Sequence, residues 1–201
     1  MALVEISRAA STSGGVWTAL ASGPVVLTSI AATNRSSQDT PISVCLRRGS
    51  ARITIVPEDL LPGGQGSQST RLRLPVFPLL AGDAVEVRSQ AAVDWRAMGA
   101  ETISSRQFSL AVQAGADAWA TIVDQAATVS GLLAANLSMG DAVVSVRISR
   151  SGGGESWLVA EEVVEEGASR RLVPVAVLGA GDVLQVRARG AVHFIATGVY
   201  A

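Results

Sequence analysis

One histidine and one cysteine are the natural starting points for acid–base or nucleophilic chemistry in this sequence. His193 lies in Val192-His193-Phe194-Ile195 near the end of the chain. Hydrolytic triads, general-base schemes and most zinc sites lean on histidine. A lone imidazole in a strand-like run reads instead as a strand-surface residue. Cys45 falls on the polar phase of the alternating run Ile42 to Arg47. A nucleophilic thiol needs a base or a positive field; Arg47 and Arg48 adjoin it, but no imidazole accompanies them. A single cysteine also excludes an internal disulfide and a thiol-rich metal site.

Carboxylates come next. Glu161-Glu162-Val163-Val164-Glu165-Glu166 is the densest acidic run. Clustered carboxylates can hold calcium, yet this run lacks alternating Asp, Asn and Gly, and Arg170-Arg171 follow to balance it. It reads as a solvated loop. An enzyme would have to be assembled from carboxylates and Arg alone, as in glycosidases with paired acids, and no pair stands out. Asp83 and Asp182 each follow a Gly, where an Asp side chain serves the local turn. Gly63-Gly64-Gln65-Gly66 lacks the Lys-Ser/Thr of a phosphate loop, and Gly152-Gly153-Gly154 does not open a helix. Both read as flexible hairpin tips. Four tryptophans offer flat faces that suit sugar C–H groups. Trp17 and Trp119 match each other in the repeat described below and read as core or interdomain anchors; Trp95 matches Phe194 and reads as core. Trp157, just past the Gly tip, remains as the candidate exposed binding residue. No catalytic, cofactor-binding or metal-ligating residue is expected.

The repeat that supplies these matches spans the 201 residues. Trp17 and Trp119 are 102 positions apart, as are Asn34 and Asn136, Val44 and Val146, and Arg48 and Arg150. Further on the offset becomes 99, pairing Pro75 with Pro174, Asp83 with Asp182, Arg88 with Arg187 and Gly99 with Gly198. The first copy therefore carries three extra residues, placed around Pro62 to Gly66, where a surface hairpin loop accepts added length. The copies read as 1–100 and 101–201.

Each copy reads as strand almost throughout. Ile42 to Arg47, Val144 to Ser149, Arg71 to Leu74, Val85 to Arg88 and Leu184 to Arg187 alternate apolar with polar at period two. One dry face and one wet face are expected of an antiparallel sheet. Turn formers such as Ser22-Gly23-Pro24 and Asn34-Arg35-Ser36-Ser37 separate six to eight short strands per copy, the pattern of a sandwich or jelly roll. Pro75 and Pro174, inside strand-like runs, mark an edge or a bulge. The best helix candidate, Leu158 to Gly167, suits strand plus loop equally well.

Composition bounds the partners. Charged residues make up 16% of the chain, against roughly 25% in an average soluble domain. Apolar surface left uncovered by so few charges tends to end in subunit contacts. All sixteen cations are Arg, which tolerates interfaces better than Lys. A net charge of −1 gives no general attraction to nucleic acid or to an anionic membrane. The opening Met-Ala-Leu-Val-Glu-Ile-Ser-Arg lacks the layout of a signal peptide. The longest apolar stretches, such as Val25 to Ala32, are short of the roughly 20 residues of a membrane span.

Taken in order, each copy has a Trp near an opening strand, then an apolar strand ending in Asn (Leu27 to Asn34; Val129 to Asn136). An alternating strand follows (Ile42 to Arg48), then Leu80-Ala81-Gly82-Asp83-Ala84-Val85-Glu86-Val87, and last Ala92-Val93-Asp94-Trp95-Arg96-Ala97-Met98-Gly99. This order resembles small β-sandwich modules in virion structural proteins of tailed bacteriophages and phage-like gene transfer agents. Those modules serve in tail, fibre or head-spike parts. The resemblance implies an all-β chain of tandem duplicated antiparallel β-sandwich, or jelly-roll-like, domains, although many such modules occur singly. It implies a non-enzymatic virion component, assembled in the bacterial cytoplasm, whose partners are further copies of itself, other virion proteins and, in host attachment, a host-surface glycan. The alternative reading is a carbohydrate-binding module in which each copy presents a shallow site at loop tips, near Trp157.

Overall fold

Period-two alternation leaves each segment one oily edge-on row to bury, and the structure satisfies those rows by pairing strands into sheets and closing sheets face to face. It is a computed structural model that describes residues 5–63, 69–72, 77–101, 106–173 and 175–201. Met1 to Val4, the stretch 64–66, residues 73–74, Pro75 and Pro174 lie outside the described residues. The chain forms two compact units, Met1–Ser104 and Ser105–Ala201.

The first unit contains β1 (Glu5–Thr12), β2 (Thr18–Ser22), β3 (Val25–Asn34), β4 (Thr40–Arg48), β5 (Ala51–Leu61), β6 (Ser69–Leu72), β7 (Phe77–Leu79), β8 (Asp83–Ser89) and β9 (Val93–Ala100). One sheet runs β1-β9-β3-β6, with β7 on the same strand β3, and the other runs β2-β8-β4-β5. β6 lies along Ile30 to Thr33 and β7 along Val25 to Leu27, so the two act as one interrupted strand. That leaves two four-stranded antiparallel sheets in the jelly-roll order.

The second unit contains β10 (Gln107–Ala114), β11 (Ala120–Val123), β12 (Ala127–Asn136), β13 (Ala142–Ser149), β14 (Glu155–Val164), β15 (Ser169–Val173), β16 (Ala176–Leu178), β17 (Val183–Arg189) and β18 (Val192–Tyr200). Its sheets run β10-β18-β12-β15, with β16 on β12, and β11-β17-β13-β14. The order repeats strand for strand. Irregularities repeat too: the register shift at Leu27/Ser29 returns at Val129/Gly131, and that at Ile42/Val44 returns at Val144/Val146. The gap between β5 and β6 covers 62–68 and that between β14 and β15 covers 165–168, so the three-residue difference falls there.

The sheets enclose the core expected from the alternation. On β17, Leu184, Val186 and Ala188 point inward, while Gln185, Arg187 and Arg189 point out. They pack with Phe108, Leu132, Val144, Val146 and Phe194. Each fully buried side chain of this size contributes roughly 1.5–3 kcal/mol. In the first unit Trp95 is buried, and its indole N–H donates to Thr12 Oγ1 at 2.7 Å, which satisfies the ring's one polar atom. The dry-face, wet-face expectation fails at β4 and β8. Ser43, Cys45 and Glu86 occupy outward positions yet are buried, because long Arg side chains lie across them.

Three repeated residues explain why both copies close in the same way. Asn34 Nδ2 donates to Gln38 O (2.8 Å) and Leu61 O (3.1 Å), while its Oδ1 accepts from Ser36 N (2.9 Å). Asn136 Nδ2 donates to Gly140 O, Val164 O and Glu165 O, and its Oδ1 accepts from Ser138 N. Each buried amide thus ties the turn after its strand to the end of the neighbouring hairpin. Gly99 and Gly198 sit opposite the register shifts. A Cβ there would lie 2.1 Å from Val26 O or 2.3 Å from Thr128 O. The third residue is the Asp after each Gly. Asp83 Oδ2 accepts from Leu80 N (3.3 Å) and Asp182 Oδ2 from Gly179 N (3.0 Å), the expected turn role. Each also holds the matched Arg: Arg48 donates to both oxygens of Asp83 at 2.9 and 2.7 Å, and Arg150 to Asp182 at 2.7 Å.

Candidate functional site

The two units differ on the outer face of the sheets β2-β8-β4-β5 and β11-β17-β13-β14. In the first unit Trp17 stands just before β2, and the guanidiniums of Arg52 and Arg88 lie 5.6 and 5.0 Å from its ring centre. Beside it Glu86 accepts from Arg47 (2.8 Å) and Arg52 (2.7 Å). Cys45 is buried beneath them with Sγ 4.0 Å from Glu86 Oε2. Burial, reinforced by the Glu86 carboxylate, pushes the Cys45 thiol up to about 12, so the neutral form dominates at physiological pH. That environment opposes nucleophilic use.

In the second unit the matched Trp119 stands before β11 under Arg147 and the matched Arg187, at 4.0 and 5.0 Å. The residues around this stack have changed. Register places Arg147 where Cys45 stands, Trp157 where Thr54 stands, Gln185 where Glu86 stands and Glu155 where Arg52 stands. Arg147 donates to Gln185 Oε1 (3.0 Å) and pairs with Glu155. Trp157 meets Trp119 edge-on with ring centres 5.5 Å apart and remains 49% exposed. The result is an aromatic corner on a sheet face, edged by hydrogen-bonding groups.

Of the two expectations for Trp17 and Trp119, core or interdomain anchor, the first fails: both are half-buried and lie under guanidiniums. They precede short strands on the outer face, and cation–π contact stands in for core packing. His193 is half-buried on β18 opposite Gln113 and Ala135, and burial lowers its basicity. The acidic run is not a loop at its start. Glu161 and Glu162 belong to β14, where Arg189 and Arg170 pair with them at 2.7 and 2.5 Å. Gly152 to Gly154 form a hydrogen-bonded turn, with Gly153 N donating to Arg150 O at 3.0 Å and left-handed φ at Gly153 and Gly154. Among the described residues, no cluster of His, Cys, Asp or Glu is placed to hold a metal, and no helix is long and apolar enough to cross a membrane.

Fold and surface together define a tandem jelly-roll protein with a divergent outer face. No protein-family model and no curated protein matches the chain. Solved structures do. The chain is similar to the major capsid protein P2 of bacteriophage PM2 at 8% identity and a TM-score of 0.41, covering 98% of each chain. It is similar to a chain of Sulfolobus Turreted Icosahedral Virus at 12% identity and a TM-score of 0.33, covering 96% of this chain and 58% of that one. It is also similar to allantoicase from Saccharomyces cerevisiae at 9% identity and a TM-score of 0.34, covering 92% and 77%. Similarities this remote decide nothing about function, and the jelly-roll assignment rests on the strand pairings.

Proposed function

We propose that this chain is a non-enzymatic structural component of a phage or gene-transfer-agent particle, a head-spike, fibre or tail part that acts through contacts with its own copies and with neighbouring virion proteins. One observation carries the reading. Leu60 and Val163 occupy the same place in the two units, opposite Pro41 and Val143, and both are exposed, at 61% and 44%. Each lies on a strand, β5 or β14, that pairs on one side only among the described residues. The register shifts in these strands spoil open-ended backbone pairing. Contacts made here therefore use side chains, and an apolar side chain repeated at an edge suits a repeated neighbour. The low charge content supports the same conclusion. So does the employment of the repeated Asn and Asp residues in turns.

Two measurements test it. Light scattering of the purified chain should show an oligomer that Leu60→Asp with Val163→Asp weakens, and mass spectrometry should find the chain in purified particles. A monomer at every concentration, together with absence from particles, would overturn the reading.

A further inference from the structure

We propose that the outer face around Trp157 binds a neutral saccharide, and that the second unit alone has this site. The inference does not rest on the virion reading. Trp157 is 49% exposed, and its ring meets that of Trp119 at a steep angle with centres 5.5 Å apart, a contact that restrains its orientation. A rigid, electron-rich aromatic face attracts the partially positive C–H groups of a pyranose. The row across the sheet from Trp157 runs through Arg147 to Gln185, with Glu155 beside it. These side chains supply donors and acceptors for hydroxyl groups beside the ring.

Charge balance selects the sugar class. Arg147 already pairs with Glu155, and Arg187 Nε lies 3.4 Å from Asp117 Oδ1. With each guanidinium matched to a carboxylate, the face offers no net attraction for a uronate or a phosphate. In the first unit Thr54 stands where Trp157 stands, and Glu86 gathers Arg47 and Arg52 over Cys45. That face has the tryptophan and guanidinium stack but no projecting ring. The sequence reading put a shallow site at loop tips of each copy; the geometry places it on a sheet face of one.

The test is tryptophan fluorescence and calorimetry on the full chain with two probes, a neutral β-1,4-linked glucose hexamer and a galacturonate oligomer, backed by an array of neutral oligosaccharides. Binding of a neutral probe or array sugar is expected, with Trp157→Ala weakening it by about tenfold or more. Trp157→Thr, which installs the residue of the first unit, should do the same if the alanine variant folds poorly. No binding by the folded chain to any neutral sugar overturns the proposal. So does preference for the galacturonate, or unchanged sugar binding with an altered oligomeric state in either variant. The virion reading is tested separately, by particle composition.

Discussion

Asparagine stands at position 34 and again at 136, with the same donors and acceptors in the same turn. At the matched positions 45 and 147 one unit buries a thiol and the other places a guanidinium over an indole. The two units agree where a side chain holds the backbone; on the outer face they keep a Trp and one Arg over it and differ around that pair. A duplicated sandwich keeps the residues that satisfy buried amides and carbonyls, since losing one leaves an unpaired polar group. Its outer face carries no such penalty and can acquire a separate use.

Removing a shared tie should therefore damage both units alike. Asn34→Ala and Asn136→Ala each leave buried carbonyls and an N–H without partners. Each is expected to cost about 2–4 kcal/mol, read as a lower denaturant midpoint. A large effect in one unit and none in the other would break the comparison. Gly99→Ala and Gly198→Ala come next, since the new methyl would press on a backbone carbonyl at 2.1 or 2.3 Å. About 1–3 kcal/mol each is expected, with Gly198→Ala the larger, because Phe108 Cζ also lies 2.6 Å from the new atom.

A smaller effect sharpens the comparison at the Gly-Asp turns. The Ser151 N–H, the Arg150 guanidinium and the Gly179 N–H hold the Asp182 carboxyl below the usual carboxylate range. A depressed folded value means that this contribution is present above the unfolded value, about 4, and is lost as pH falls through the folded one. Unfolding midpoints of the parent and Asp182→Asn should differ at neutral pH and converge in acid. A constant gap across that range would contradict the assignment.

Much of the frame was legible before any coordinates. Matched offsets of 102 and 99 place the duplication, and period-two runs such as Leu184 to Arg187 name core residues, because both signals are local. Strand order was not legible. Pairing β9 between β1 and β3 joins segments far apart in the chain, and periodicity does not choose partners. The acidic run misled because its first half continues a strand across a register shift at Glu161, whose φ is +51°. Trp157 stands out in the sequence, but the side chains around it do not, for a related reason. Trp157 meets Arg147 only through the β13–β14 register, which two irregularities offset. The repeat offset of 102 does set Cys45 against Arg147, but not Trp157 and Gln185 on either side of Arg147.

Hydrogen–deuterium exchange on the intact chain tests the shared frame most directly. Central strands β3, β4, β8 and β9 should exchange slowly, and β12, β13, β17 and β18 should do so to a similar degree, with the edge strands faster in both units. Rapid exchange through Ala127–Asn136 while Val25–Asn34 stays protected would contradict it.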